Sequence, residues 1–292
     1  MLKVSKTVIT MLIFGYAFLF IPILFLIISS FSDSEIPGNW TNFSLRWFHE
    51  LLEDEDLVRA MMTSFKIACI SASGAVILGT LAAVATTNTG RYFGKNFLTN
   101  SIIVPIVMPE IIVGFSLLML FISLESIFGF PKERGVMTVA IGHIMATMAY
   151  VHMTVRARLL SFDKSLEEAA LNLGAKPLTV FFAIKIPVIS KAILSGWLLA
   201  FTLSLDDLVI ASFLTGPGST TLPILIFSNV RIGLSPAINA LATMIIAIVL
   251  LCLIGVYLLS KPKKKLGEWR MMILASLNRL PLRQTSSSFP TV

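Results

Sequence analysis

The chain has 292 residues, 56% of them hydrophobic and only 13% charged, where ordinary soluble domains carry about 25% charged residues. Its 23 Lys and Arg and 16 Asp and Glu fall in short clusters between long uncharged runs. This pattern excludes a water-soluble globular protein and makes the lipid bilayer the first solvent to consider.

The first uncharged run, from Lys6 to Asp33, can cross about 30 Å of hydrocarbon as a helix and predicts a span over 8–30. Lys3 and Lys6 before an apolar stretch also suit a cleaved secretory signal. The run is longer than the usual apolar region of about 7–15 residues and no small-residue cleavage site follows, so a retained span is expected. Residues 31–65 form the longest outer segment, where Trp40, Trp47 and Phe48 beside Glu53-Asp54-Glu55-Asp56 predict a short interfacial helix. Two readings stand for it: an aromatic belt with a solvated acidic face, or part of a docking surface for a soluble outer partner. Further spans are predicted over 66–88, 100–124, 136–156, 189–214 and 237–260. Backbone exposed to lipid must satisfy its hydrogen bonds within one segment, and the runs lack strict alternation. The fold class expected is therefore an all-α membrane protein with six transmembrane helices. Cys69 and Cys252 lie in different spans and suggest neither a disulfide framework nor a metal site. Gly74 and Gly79 suit close helix contact.

Orientation follows from Lys and Arg. Of the 23, 17 fall in the N-terminus, the 89–99 loop, the 156–191 loop and the tail from Lys261, which places both termini in the cytoplasm. The formal net charge of +7 is thus a topology signal, and no nucleic-acid partner is expected. The chain divides into a transmembrane domain, 1–260, with an inner loop at about 157–188, and a basic cytoplasmic tail, 261–292. The run Lys261-Pro262-Lys263-Lys264-Lys265 suits an anionic leaflet, and 268–280 suits a short amphipathic helix on that surface. Thr215-Gly216-Pro217-Gly218 is a turn signal that stops the fifth span.

The inner loop reads as a helix pair. Ser165 can cap, Glu168 stands at the capping-box position, Gly174 closes the first helix, Lys176-Pro177 restarts the chain, and Pro187 marks the start of the next span. Glu168-Ala169-Ala170, three residues, Gly174, nine residues and then Ile184-Lys185-Ile186-Pro187 is similar to the EAA motif of ABC importer permeases, which usually ends Ile-x-Leu-Pro. The stretches Val107-Met108-Pro109-Glu110, Thr202-Leu203-Ser204-Leu205-Asp206-Asp207, Thr215-Gly216-Pro217-Gly218 and Ile238-Asn239-Ala240-Leu241-Ala242-Thr243 resemble the polyamine importer permeases, most of all the second permease subunit of putrescine transporters.

The resemblance implies the type I ABC importer permease fold in the bacterial inner membrane, a homologous second permease subunit, two copies of a cytoplasmic ATPase and a periplasmic polyamine-binding protein. It implies that the helix carrying Glu168, Ala169 and Ala170 docks into the ATPase. ATP and Mg would sit on that partner and no cofactor on this chain, which has no G-x-x-x-x-G-K-[ST] loop.

Charges inside the membrane carry the substrate argument. An ionised carboxylate at the centre of a lipid-facing helix costs on the order of 3 kcal/mol, so Glu110, Asp206 and Asp207 should face a cavity or a partner. No Lys or Arg in the body of a span neutralises them, which favours a cationic cargo and disfavours an anion. On a regular helix Asp206 and Asp207 point about 100° apart, so one of them would face the partner permease. Glu110 follows Pro109, which can kink the helix, and it stands where the polyamine family commonly has Asp. Trp197 and Phe201, four residues apart, offer an aromatic surface for an amine. The competing readings are protonated carboxylates bonded between helices, Trp197 and Phe201 as packing residues, and His143 and His152 either lining a path or satisfied within the bundle. Two other functional classes compete: an ion-gradient-driven cation transporter, which the EAA loop opposes, and a membrane enzyme, for which no catalytic pattern accompanies the histidines.

Overall fold

A computed structural model describes residues 5–36, 39–88, 93–232 and 236–260. The basic tail from Lys261, including the helix expected over 268–280, lies outside the described residues. The chain divides into two compact units, 1–241 and 242–292.

The described residues are nearly all helical. In chain order the helices are α1 (Lys6–Ser29), α2 (Arg46–Glu53), α3 (Glu55–Asn88), α4 (Lys95–Val107), α5 (Glu110–Phe128), α6 (Val136–Leu160), α7 (Lys164–Asn172), α8 (Pro177–Val180), α9 (Ile186–Asp206), α10 (Val209–Leu214), α11 (Leu222–Ile232) and α12 (Pro236–Ser260). A single π turn, Phe181–Lys185, joins α8 to α9. Five stretches are long and apolar enough to cross a membrane: Lys6–Ser29, Glu55–Thr87, Glu110–Phe128, Val136–Leu160 and Pro177–Asp206. With the apolar α12 they account for the six spans.

The core of the first unit is the packing of α3, α6 and α9. Ala68, Ala72, Ala75 and Ala83 give α3 a buried face of small side chains, which lets neighbouring backbones approach closely where lipid supplies no hydrophobic drive to associate. A Cβ at Gly79 would meet Val151 Cβ at 2.8 Å and the Met148 carbonyl oxygen at 2.9 Å, and one at Gly74 would meet the Ile144 side chain at 2.6 Å. The helices close to that distance because these positions carry no side chain. By contrast, α1 buries none of its residues.

Four features differ from the sequence expectations. First, α3 begins at Glu55, not near 66, because the Asp54 carboxylate caps it by accepting the Asp56 and Leu57 N–H groups at 3.0 and 3.1 Å. Its 34 residues span about 51 Å at ~1.5 Å per residue. Second, the predicted third and fifth spans are each broken. The third breaks at Met108-Pro109, where Pro109 has no N–H to continue the ladder, and the fifth breaks at Asp207-Leu208. Third, the outer segment after the Thr215–Gly218 turn contains α11, which docks on α3 through Leu222 N–H donating to Ser64 Oγ at 2.7 Å. Fourth, Pro187 stands in the first turn of α9, as expected, but the chain does not leave the helix before it. The helix runs from Pro177 to Asp206, and the π turn just before Pro187 absorbs the missing donor and the ring's clash with the preceding turn.

The outer segment has an α2 helix where one was expected. Trp47 is buried and its Nε1 donates to the Ser32 carbonyl at 2.8 Å, while Arg46 lies 4.9 Å over its ring.

Candidate functional site

The two helix breaks bring the membrane acids together. At Met108 (φ −77°, ψ 141°) and Asp207 (φ −69°, ψ 119°) the backbone turns extended. The short helix beyond the second break, α10, packs on α5, which follows the first. Gly114 makes room for it, since a Cβ there would meet the Phe213 ring at 2.7 Å and the Ile210 backbone at 3.3 Å. Between the breaks is a cavity of about 230 Å³ lined by Glu110, Asp206 and Asp207, with Tyr150, Thr147 and Pro105 among the remaining walls. Among the described residues no Lys or Arg lines it.

The extended backbone at Asp207 removes the geometric obstacle expected for a regular helix, so both aspartates reach the same cavity. They are not equivalent within it. Asp207 has a side chain only 12% exposed, accepts the Ala211 N–H at 2.9 Å and approaches His143 Nε2 at 3.3 Å. It thereby caps α10, whose first amides lack partners within the helix. Asp206 and Glu110 are exposed within this chain and their side chains have no hydrogen bond or ion pair among the described residues. Glu110 also stands in the first turn of α5, where the helix dipole favours an anion.

Trp197 and Phe201 lie elsewhere. Their rings stack at 5.1 Å, Trp197 Nε1 donates to Ser73 Oγ at 3.2 Å and Phe201 meets Phe65 edge-on at 5.6 Å. The aromatic wall of the acidic cavity is Tyr150, which no pattern along the chain singles out. His143 joins Asp207 to Ser204, whereas His152 meets Thr86 Oγ1 at 3.0 Å on the same helix but away from the acids. A larger cavity, about 320 Å³, lies between Asp56, Arg59 and Thr63 of α3 and Gly218 and Thr220, and its charges balance.

The inner loop is compact. Helix α7 is capped by Asp163, not Ser165: the Asp163 carboxylate accepts the Ser165 N–H at 2.9 Å. The Ser165 amide, then its hydroxyl, hold the Asp163 carboxyl below the ordinary carboxylate value. With the cap two residues earlier than expected, Glu168 is not part of a capping box and is left exposed beside exposed Ala169. At the other end Gly174 has φ +87°. Its N–H donates to the Leu171 carbonyl at 2.9 Å, and the Ala175 N–H donates to the Ala170 carbonyl at 3.0 Å. Those two bonds form a Schellman closure, which needs a left-handed residue at that position.

A contact not foreseen from the sequence ties this helix to the span behind it. Lys185 Nζ lies 2.7 Å from Glu167 Oε1, with the lysine side chain 8% exposed. Lys185 belongs to the π turn, so α7 is fastened to the inner end of the helix that finishes at Asp206. Leu166, Leu171 and Leu173 remain exposed, Leu173 at 89%. An apolar patch of this kind on a compact loop marks an interaction surface.

Comparison with known proteins agrees with this anatomy. Over 258 residues the chain is 48% identical to the putrescine transport system permease protein PotI of Escherichia coli (strain K12), covering 88% of this chain and 92% of that one. It is 38% identical over 250 residues to the spermidine/putrescine transport system permease protein PotC of the same strain, covering 86% and 92%. The fold matches that of a bacterial ABC transporter involved in the import of the acidic polysaccharide alginate, with a TM-score of 0.63 at 14% identity, over 90% of this chain and all of that one. Residues 75–264 match the family described as the binding-protein-dependent transport system inner membrane component. With that match across most of its length, the chain belongs to the binding-protein-dependent transport system inner membrane component family, as an ABC importer permease.

Proposed function

We propose that this chain is one of two permease subunits of an ATP-driven importer that carries polyamines, putrescine foremost, across the bacterial inner membrane by alternating access. The observation that carries the proposal is the convergence of Glu110, Asp206 and Asp207 on one cavity without a lining Lys or Arg. Anions left without an internal counter-charge in a low-dielectric wall attract a cation and repel phosphate or sulfate. Glu110 and Asp206 have carboxylates free to pair with the two ammonium groups of a diamine, and the face of Tyr150 suits a cation or a methylene chain. The higher identity to PotI than to PotC favours putrescine. A spermidine/putrescine carrier is the second reading, supported by the 38% identity to PotC.

The other parts follow from the family. A homologous second permease completes the path, two copies of a cytoplasmic ATPase hold ATP and Mg, and a periplasmic binding protein delivers the cargo. Both termini lie in the cytoplasm. Glu168, Ala169 and Ala170 of α7, with Gly174 closing the helix and Pro187 behind it, form the ATPase-coupling element. The Glu167–Lys185 pair links its movement to α9 and so to Asp206. Closure of the ATPases rocks α9 against the rest of the bundle and turns the cavity from one side to the other.

Reconstitution of both permeases, the ATPase and the binding protein in liposomes tests this. Expected are ATPase activity stimulated by the loaded binding protein and ATP-dependent putrescine uptake. Uptake that persists without the ATPase, driven by an ion gradient, would establish a secondary transporter instead.

A further inference from the structure

Asp207 does not stand alone at the cavity wall. Its Oδ1 accepts the Ala211 N–H at 2.9 Å and lies 3.3 Å from His143 Nε2, and His143 Nδ1 lies 2.7 Å from Ser204 Oγ. His143 and Ser204 are 2% and 5% exposed. Helical serines and threonines commonly donate back to the carbonyl one turn earlier, as Thr147 does to His143 at 2.6 Å. The Ser204 hydroxyl does not: among the described residues its partner is the imidazole.

For a neutral ring, one proton arrangement suits these contacts. The Ser204 O–H donates to Nδ1, which leaves Nε2 as the protonated nitrogen facing the carboxylate. The opposite tautomer would set a ring lone pair against an anion in a water-poor site. At this geometry Nε2 makes no hydrogen bond among the described residues, and Oδ1, 3.3 Å away, is the acceptor it faces.

We infer that His143, held by Ser204, is a positioning residue for cargo binding: it fixes the Asp207 carboxylate through Oδ1 and leaves the other oxygen as the acceptor for an ammonium group. The inference rests on the reading of the cavity as an amine path. It assigns unlike roles to neighbouring acids. Asp206, exposed and without a side-chain partner among the described residues, is free to follow the cargo, whereas Asp207 is a preset acceptor whose geometry is paid in advance by groups on α6 and α9.

Two measurements on the reconstituted complex decide it. In putrescine uptake, His143→Leu should raise KM about ten-fold or more, the effect of one hydrogen bond to a charged group, with Vmax and basal ATPase activity little changed. His143→Gln, whose side-chain N–H reaches the place of Nε2–H, should recover most of the loss. Equal impairment in the two variants, or a fall in Vmax at constant KM, would overturn the inference. The second measurement does not need transport. Solid-state ¹⁵N NMR of the complex with this subunit alone labelled at histidine, the His143 signal assigned by its loss in His143→Gln, should show a neutral ring protonated on Nε2 at neutral pH. Ser204→Ala should give mixed tautomers. A ring protonated on Nδ1, or no response to Ser204→Ala, would overturn it whatever the cargo. A wild-type complex that carries no amine would instead refute the amine path, and the NMR result would then decide the histidine's role by itself.

Discussion

Replacing Gly174 by Ala isolates the contribution of backbone conformation to coupling. The residue sits at φ +87°, and a Cβ built on it meets nothing within 4 Å. The cost is therefore conformational and not steric with neighbours: an L-residue held left-handed loses about 1–2 kcal/mol. The two closing bonds, Gly174 N–H to Leu171 and Ala175 N–H to Ala170, exist only while that conformation holds. A penalty of that size lowers the closed-to-open ratio of the α7 terminus by roughly 5- to 30-fold. In a pull-down of the ATPase by the permease pair, Gly174→Ala should weaken retention by about that factor, and binding-protein-stimulated ATPase activity should fall with it. Gly174→Asn should lie between, since Asn tolerates the left-handed region. The stability of the permease itself to thermal unfolding should fall by no more than about 1–2 kcal/mol, because no buried contact is altered. Full ATPase retention and stimulation in Gly174→Ala would refute the claim that this turn presents the coupling helix.

Three other outcomes are expected. Asp206→Asn should abolish most uptake at unchanged melting temperature, while Asp207→Ala should lose uptake and about 1–2 kcal/mol of stability with the α10 cap; equal melting of the two variants in detergent would contradict the roles read from their contacts. Glu167→Ala strands the buried Lys185 ammonium, and since Glu167 is itself 29% exposed the loss should be about 1–3 kcal/mol, below that for a fully buried pair; Glu167→Ala with Lys185→Met should recover part of it in a double-mutant cycle of unfolding. Gly79→Ala must part α3 from α6 against the Met148 backbone and should cost about 1–3 kcal/mol, whereas Gly15→Ala, with nothing within 4 Å, should be neutral or slightly stabilising by thermal denaturation.

Much of this was legible in the sequence because the bilayer makes simple demands. Charges bounded the spans, and a fixed spacing from Glu168 to Pro187 located the inner loop. What escaped depended on the third dimension. The break at Met108-Pro109 had a local signal in its proline, but that at Asp207 has neither Gly nor Pro, and its cap is completed by His143 from another helix. Asp163, two residues before the expected Ser165, takes the cap because its carboxylate reaches the Ser165 N–H in the folded turn. Glu167 and Lys185 are separated by a helix, a turn and a restart, and no periodicity pairs them. Trp197 and Phe201 had the right chemistry on the wrong face, and Tyr150, on α6, reached the acids instead.

The helix that begins at Pro177 and ends at Asp206 runs through 30 residues, about 45 Å at ~1.5 Å per residue. Its foot is held by the Glu167–Lys185 link and its head ends at Asp206, so under the proposed function it would act as a pushrod. A stroke delivered at the foot would then travel to the acidic cavity through one continuous helix and tie fuel consumption to release. Splicing two or three glycines into the middle of that rod would give a machine that burns nucleotide and moves nothing.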